Sequence, residues 1–266
     1  MARRARLDAE LVRRGLARSR AQAADLIAAD RVRVEGQAIA KAATQVGHDA
    51  AITIGRADAG DEYVSRGGRK LAGALAAFCG LRVAGRRCLD AGASTGGFTD
   101  VLLRAGAAHV VAVDVGYGQL AWNLRSDPRV TVLDRVNVRN LSPGQVAPPP
   151  EVVTADLSFI SLVQVLPALA GCATLDADFV LLVKPQFEVG KGNVGAGGVV
   201  QDPELRAQAV ADVARAALAL GLGVLGVTAS PLPGPAGNVE YFLWLRRGAP
   251  ALDDADLRAA IAGGPR

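Results

Sequence analysis

Cysteine and histidine are scarce in this chain of 266 residues, and their scarcity excludes several kinds of site. The three cysteines show neither the CxxC spacing of a zinc site nor the even count of a disulfide framework. The two histidines, His48 and His109, stand alone, so we assign neither a role and expect no metal. We predict that all three cysteines are buried thiols in a reducing cytoplasm: Cys79, Cys88 and Cys172.

Long apolar runs are also missing. Two stretches without charged residues, 157–175 and 216–239, are interrupted by Ser, Thr, Gln, Gly and Pro. A membrane-spanning helix needs about 20 predominantly apolar residues, so we predict that both stretches are buried elements of a soluble core. The first twenty residues contain seven arginines and no apolar segment of the secretory type. We therefore expect a cytoplasmic protein that does not bind a membrane, and a monomer.

Positive charge is concentrated at one end of the chain. The formal net charge is +4, and all of this excess lies in the first sixty residues. A basic block at one end indicates a polyanionic partner, either a nucleic acid or a membrane surface. The alternative is a helix face that is charged only because it is solvated.

Residues 5–55 have the pattern of a small α+β module. Apolar residues recur at helical spacing from Leu7 to Leu16, and Ser19 followed by Gln22 predicts the capped start of a second helix. Residues 32–39 then predict a hairpin, and residues 51–54 a further short strand. Two helices surrounded by arginines would form a compact basic surface.

This module resembles the S-four type RNA-binding domain. The resemblance rests on these residues: Arg6-Leu-Asp8, Leu11, Gly15, Ser19-Arg20, Ala23, Ile27 and Val32-Arg-Val-Glu-Gly36. It implies a domain over residues 1–55 that grips structured RNA through backbone phosphates, followed by a linker over 56–65. The candidate phosphate contacts are Arg6, Arg18, Arg20 and Lys41.

Beyond residue 65, predicted strands and helices alternate along the chain. Strands are predicted at 87–90, 109–114, 130–133, 151–156, 178–184, 223–229 and 239–245. Helices are predicted at 66–78, 96–105, 117–125, 161–170 and 203–220. This alternation is typical of an α/β fold with a doubly wound, mostly parallel, Rossmann-like sheet of seven strands. The last two strands would form an antiparallel edge pair, and residues 251–266 a C-terminal helix or tail.

A glycine loop at residues 92–97 follows the first of these strands. Gly92, Ser94, Gly96 and Gly97 turn the backbone towards a helix, which is where the polar part of a nucleotide-like cofactor binds. Asp114 ends the second strand, and its separation from the glycine loop along the sequence is that expected of a carboxylate that binds the cofactor ribose. Both NAD and S-adenosylmethionine fit this arrangement. We find no His or Tyr-Lys proton relay of the kind that a dehydrogenase uses.

The later strand ends carry Asp156 and Lys184, which should face the same crevice as the glycine loop. An acid followed by an aromatic residue after the fourth strand, and Lys-Pro after the fifth, resembles the FtsJ-like methyltransferases. Longer motifs are similar to those of the TlyA family over nearly the whole chain. They include Ser65-Arg-Gly-Gly-Arg-Lys-Leu71, Asp90-Ala-Gly-Ala-Ser-Thr-Gly-Gly-Phe98, Asp114-Val-Gly-Tyr-Gly-Gln-Leu120, Asp156-Leu-Ser-Phe-Ile-Ser161, Lys184-Pro-Gln-Phe-Glu-Val-Gly-Lys-Gly192 and the stretch from Ser230 to Phe242.

The resemblance implies an S-adenosylmethionine-dependent cytidine 2′-O-methyltransferase of ribosomal RNA in residues 66–250, whose activity affects sensitivity to capreomycin-type drugs. It implies a catalytic tetrad of Lys70, Asp156, Lys184 and Glu240, in which Lys184 holds or deprotonates the ribose hydroxyl. The implied cofactor-binding residues are Gly92, Ser94, Gly96, Gly97, Phe98, Asp114, Asn137, Asp156 and Phe159. Arg66 and Arg139 are candidate RNA contacts at the catalytic rim.

Two other functions remain open from the residues alone. A pore-forming haemolysin would need a membrane-spanning or strongly amphipathic segment, which neither uncharged stretch provides. An RNA-binding module with an inactive methyltransferase fold would bind S-adenosylmethionine without transferring the methyl group.

Overall fold

The computed structural model describes residues 4–17, 19–28, 32–39, 41–54 and 63–265. The chain divides into two compact units, Met1–Arg66 and Gly67–Arg266. Arg18, and residues 56–62 of the predicted linker, lie outside the described residues.

The N-terminal unit contains two short helices and two small antiparallel sheets. Its strands are β1 (Arg4–Arg6), β2 (Val32–Val34), β3 (Gln37–Ala38), β4 (Gln45–Gly47) and β5 (Ile52–Ile54), and its helices are α1 (Leu7–Arg13) and α2 (Arg20–Ala28). Strand β1 pairs with β4, and β2 lies between β3 and β5. The hairpin turn places Glu35 and Gly36 at positive φ, the conformation that a tight two-residue turn requires. Apolar side chains from both helices, β2 and β4 form one core: Leu7, Leu11, Ala17, Ala23, Ile27, Val32 and Val46.

The C-terminal unit is built on one seven-stranded sheet. The strands are β6 (Arg87–Ala91), β7 (His109–Asp114), β8 (Val130–Asp134), β9 (Val152–Ala155), β10 (Asp178–Val183), β11 (Leu222–Ala229) and β12 (Tyr241–Arg247). Their order is β11-β12-β10-β9-β6-β7-β8. Strand β12 runs antiparallel to both of its neighbours, β10 and β11, whereas the pairs among β8, β7, β6, β9 and β10 are parallel. The predicted α/β fold, with its antiparallel pair at the edge, is confirmed.

Eight helices flank this sheet in the part of the unit that is described. They are α3 (Arg66–Ala77), α4 (Gly97–Arg104), α5 (Trp122–Arg125), α6 (Pro143–Val146), α7 (Leu162–Cys172), α8 (Pro185–Glu188), α9 (Pro203–Ala219) and α10 (Asp254–Ala262). The central strands β9 and β10 are buried at every residue, because helices cover both faces of a parallel sheet. None of the described helices is both long and apolar enough to cross a membrane.

Two sequence predictions are wrong in detail. The helix predicted at 117–125 is only four residues long, because the preceding segment is a turn in which Gly118 has a φ of +65°. The main-chain amide of Gly116 in that turn donates to the side chain of Asp114. Cys79 is exposed rather than buried, since it lies in the turn just beyond the end of α3, whereas Cys88 and Cys172 are buried as predicted.

Candidate active site

The carboxyl edge of the sheet collects the polar residues that the sequence singled out. Asp114 ends β7, Asp156 directly follows β9, and Lys184 directly follows β10. The carboxyl ends of parallel strands meet at one edge of a sheet, where ligands of open α/β folds bind. Strand β12 is antiparallel, so its first residue, Tyr241, pairs with Val183 at this same edge. Glu240, which precedes Tyr241, is thereby brought to the site from a distant part of the sequence.

Close contacts of the backbone explain the glycines of the loop after β6. Gly92 has a φ of +86°, and a Cβ atom there would lie 2.4 Å from the main-chain oxygen of Asp156. Gly96 has a φ of +100° and caps α4, and a Cβ atom there would lie 2.3 Å from a methyl carbon of Leu124. The loop therefore packs against the segment that carries Asp156 at Gly92 and against Leu124 at Gly96, and a side chain at either position would displace its neighbour.

Asp114 lies beside the glycine loop and holds its conformation through hydrogen bonds. One of its carboxylate oxygens accepts from the amide of Ser94 at 2.8 Å, and the other from the amide of Gly116 at 2.7 Å. Ser94 has a φ of +48°, a conformation that this hydrogen bond helps to hold. A carboxylate oxygen accepts two hydrogen bonds, so each retains capacity for a ligand hydroxyl.

Asp90, at the end of β6, is a candidate site residue that the sequence reasoning did not single out. It is completely buried, and one of its oxygens accepts from the hydroxyl of Thr99 at 2.6 Å. The other oxygen has no hydrogen-bond partner among the described residues. Burial is the main reason that the pKa of Asp90 is raised to about 7, and the nearby Asp156 and Asp114 carboxylates raise it further. An acidic residue at the end of an apolar strand was the signal in the sequence.

The state of Asp90 predicts how stability depends on pH. An unfolded Asp ionises near pH 4, so between about pH 4 and 7 the unfolded chain releases a proton that the folded chain keeps. The stabilising contribution of protonated Asp90 is therefore complete below about pH 4 and is lost as the pH rises through 7, by about 4 kcal/mol in all. Asp90→Asn, which mimics the neutral acid, should flatten this loss when urea unfolding is measured between pH 4.5 and 7.5.

Comparison with wild type isolates Asp90 from the other groups whose pKa values are shifted. Burial also raises the pKa of Glu188, so Glu188 contributes in the same direction in both proteins. The lowered pKa values of Asp8, Glu10 and Asp178 act below about pH 4, outside this window. The exposed Asp254→Asn is the control. Equal pH dependence in wild type and Asp90→Asn would contradict the assignment.

Four charged side chains form two ion pairs at this edge. The Lys184 amine lies 2.6 Å from an oxygen of Asp156, in an ion pair without hydrogen-bond alignment, and donates to the Ser158 hydroxyl at 3.0 Å. The amine of Lys70, from α3, donates to Glu240 at 2.5 Å. Lys70, Lys184 and Glu240 are each less than a tenth exposed. Buried charges are costly to desolvate, so two such pairs at a ligand-binding edge indicate function more than stability.

Residues around Glu240 fix its position. A Cβ atom at Gly234 would lie 2.6 Å from a carboxylate oxygen of Glu240, so the glycine leaves room for that side chain. The main-chain oxygen of Glu240 accepts from the amide of Ser230 at 2.8 Å. The buried Asn238 accepts from the amide of Val200 and donates to the carbonyl of Gly198, which fastens residues 198–200 to the same segment. The sequence indicated the motif but not these contacts.

The remaining predicted cofactor residues lie in different surroundings. Phe98 is buried, with its ring centroid 6.0 Å from that of Phe242. Asn137 accepts from the amide of Arg139 and caps the short helical turn Val138–Asn140. Phe159 is 91% exposed at a φ of +64°, and its ring centroid lies 5.2 Å from that of Phe187.

Exposed aromatic residues near the end of β7 were also missed. Tyr117 is mostly exposed, and the guanidinium of Arg135 lies 4.2 Å from the centre of its ring. Trp122, at the start of α5, is 70% exposed. In the sequence, these two residues were visible only as aromatic residues within a segment that was predicted to be a helix.

The predicted RNA contacts are surface residues where the structure describes them. Lys41 and Arg139 are exposed, and Arg66 is half-buried. Arg6 and Arg20 are both bound to the side chain of Asp8.

Two family models cover most of the chain. Residues 63–247 match the FtsJ-like methyltransferase, and residues 5–52 match the S4 domain. The 16S/23S rRNA (cytidine-2′-O)-methyltransferase TlyA of Mycobacterium tuberculosis is 64% identical over 271 residues, covering 100% of both chains. The chain belongs to the TlyA family of FtsJ-like methyltransferases. The family membership predicted from the motifs is therefore confirmed.

Solved structures agree with the family. One from Streptococcus thermophilus, described as a haemolysin, is 36% identical with a TM-score of 0.77, covering 98% of this chain and 96% of the other. An S-adenosylmethionine-dependent methyltransferase from Listeria monocytogenes has a TM-score of 0.50 at 14% identity, covering 67% of this chain and 99% of the other. The latter likeness shows the shared methyltransferase fold of the C-terminal unit.

Proposed function

We propose that this chain transfers a methyl group from S-adenosylmethionine to the ribose 2′-hydroxyl of cytidine in the RNA of one or both ribosomal subunits. The proposal rests mainly on two ion pairs beside the glycine loop, Lys184–Asp156 and Lys70–Glu240. The name of the Mycobacterium tuberculosis relative supports the substrate, and the matching S4 domain supports RNA as the partner. We assign RNA delivery to residues 1–55 and methyl transfer to residues 66–250.

The residues present fit S-adenosylmethionine. The glycine loop has no room for side chains at Gly92 and Gly96, and the buried Asp90 presents a carboxylate oxygen without a hydrogen-bond partner among the described residues. Asp114 retains acceptor capacity for ribose hydroxyls. When bound, the cofactor supplies a methyl group already activated by its sulfonium charge.

The chain's own residues must orient the acceptor oxygen and take up its proton. A lysine ammonium has three N–H donors, of which the hydrogen bond to Ser158 occupies one, while the Asp156 carboxylate balances the charge without an aligned hydrogen bond. We assign a further donor to the ribose 2′-oxygen, so that Lys184 is an orienting cation. Asp156 is 22% exposed at its side chain, and we assign it as the group that takes the hydroxyl proton on a carboxylate oxygen and passes it to water.

Exposed aromatic rings support RNA as the substrate. Single-stranded and flipped bases stack on aromatic side chains, and each such contact contributes about 1–3 kcal/mol. Tyr117, Trp122 and Phe159 offer exposed rings in the C-terminal unit. Arg66 and Arg139 remain our candidates for phosphate contacts there.

Transfer of label from S-[methyl-³H]adenosylmethionine to unmethylated ribosomal subunits tests the activity. We expect rapid labelling of RNA with wild type and labelling about 10³-fold slower with Lys184→Ala. Cofactor binding by calorimetry without any transfer to either subunit would instead indicate an inactive methyltransferase fold that binds RNA. The haemolysin description of the Streptococcus thermophilus relative calls for a parallel assay, and lysis of erythrocytes by detergent-free protein would support a membrane-active function.

A further inference from the structure

The N-terminal unit contains two buried carboxylates on α1, and they bind their arginines in different ways. Glu10 is almost completely buried and accepts from Arg13 and Arg14, at distances of 2.6–2.8 Å. Arg14 also donates to three main-chain oxygens within the unit, those of Ala50, Gly47 and His48. Arg14 therefore ties the helix to the turn after β4, and its guanidinium has little left for a ligand.

Asp8 holds Arg6 and Arg20 by one edge each. It is 4% exposed, and its two oxygens accept from Nε and Nη2 of Arg6, both at 3.0 Å. Arg20 donates to the same carboxylate through Nη2 at 2.9 Å and Nε at 3.3 Å. The Arg6 hydrogen bond is the main reason that the pKa of Asp8 lies far below its ordinary value. Asp8 is therefore a carboxylate at every pH at which RNA is handled.

Both arginines that bind Asp8 have side chains that remain partly exposed to solvent. The side chains of Arg6 and Arg20 are 45% and 61% exposed. A guanidinium has five N–H donors in a rigid plane, so binding Asp8 through Nε and Nη2 leaves the Nη1 edge for another acceptor. Two positive charges held by one carboxylate leave a net charge of +1, which suits an anion with several oxygens.

We infer that Asp8 is a positioning residue that fixes Arg6 and Arg20 as one preorganised pair for a backbone phosphate of RNA. This inference rests on the proposed function only for the identity of the RNA. Asp8 already holds both planar guanidiniums in one arrangement, so less entropy is lost by ordering these two long side chains when RNA binds. Asp8 is thus expected to strengthen RNA binding although its own charge is repelled by phosphate.

Asp8→Asn distinguishes a positioning role of Asp8 from an effect of net charge alone on RNA affinity. The substitution raises the net charge by one, so independent arginines would bind RNA more tightly. Positioned arginines would bind it more weakly, and we expect a loss of about 10-fold in affinity for purified ribosomal subunits in filter binding, as for loss of one charge-assisted contact. Asp49→Asn, an exposed change of equal charge in the same unit, is the matched control and should bind at least as tightly as wild type.

The salt dependence gives a second readout that a loss of stability alone would not produce in a folded variant. The slope of log K against log salt should become shallower by about 0.7–0.9 for each phosphate contact that Asp8→Asn loses. Circular dichroism and thermal unfolding identify a variant that fails to fold. In that case the double variant Arg6→Lys with Arg20→Lys is tested instead, because it keeps both positive charges and removes the planar guanidiniums that Asp8 binds. We expect the same 10-fold loss of affinity for ribosomal subunits.

Unchanged or tighter binding by folded Asp8→Asn, or wild-type binding by the double lysine variant, would overturn the inference. Methyl transfer is measured separately at saturating RNA. If the affinity pattern holds while wild type transfers no methyl group, the proposed function fails and the inference stands.

Discussion

Replacement of Lys184 by alanine is expected to lower the rate of methyl transfer by about 10³-fold, since positioning and proton transfer together contribute this much in enzymes. Lys184 lies between the carboxylate of Asp156 and the hydroxyl of Ser158, at the edge of the sheet that the glycine loop shares. In the role that we propose for Lys184, its removal leaves the acceptor oxygen without its cation, while the contacts of Asp114 with the loop remain. Affinity for S-adenosylmethionine, measured by calorimetry, should change less than threefold.

Lys184→Arg distinguishes an orienting cation from a general base. Arginine keeps the positive charge but does not give up a proton in proteins, so it replaces the first role and not the second. We expect Lys184→Arg to retain at least ten times the activity of Lys184→Ala at neutral pH. Activity as low as that of Lys184→Ala, in a folded protein that binds the cofactor, would instead assign proton removal to Lys184.

Glu240→Ala is expected to destabilise the C-terminal unit by about 3–5 kcal/mol, because it leaves the buried amine of Lys70 without its partner. Urea unfolding monitored by tryptophan fluorescence measures this loss. The same variant should lose methyl transfer, but that loss alone would not separate a structural role from a functional one.

The double variant Lys70→Met with Glu240→Leu makes that separation. Apolar side chains of similar size replace a buried ion pair at little cost, so stability should return to within about 1 kcal/mol of wild type. We propose that these two charges orient the substrate and Lys184, so we expect methyl transfer to stay at least 100-fold below wild type. Wild-type activity in the stable double variant would show that the pair serves the fold alone.

The sheet was predictable because its central strands are apolar runs that helices separate. Residues 109–114, for example, form β7 over the whole predicted range. The short helices α6 and α8 have four residues each, which is too few to show a helical period. The three-residue strands β1 and β4 depend on pairing between distant segments, and no local pattern reports that pairing.

Recognition of the site depended on the family resemblance more than on the spacing of residues. Lys70 and Glu240 are 170 positions apart, and they meet only because β12 runs antiparallel at the end of the sheet. The raised pKa of Asp90 arises from complete burial in the folded unit. The grip of Asp8 on two arginines is likewise a property of side-chain geometry, whereas the sequence shows only that charges of both signs occur near the N-terminus.

Mapping of 2′-O-methylation at single-nucleotide resolution tests whether this chain methylates the ribose of cytidine in ribosomal RNA. Unmethylated ribosomal subunits are incubated with S-adenosylmethionine and either wild type or Lys184→Ala, and their RNA is read by resistance of the modified ribose to alkaline cleavage. We expect new 2′-O-methylcytidine with wild type and, in the same time, none above background with the variant. Methylation of a base, or of a ribose that is not cytidine's, would contradict it, as would unmodified RNA from subunits to which the protein binds.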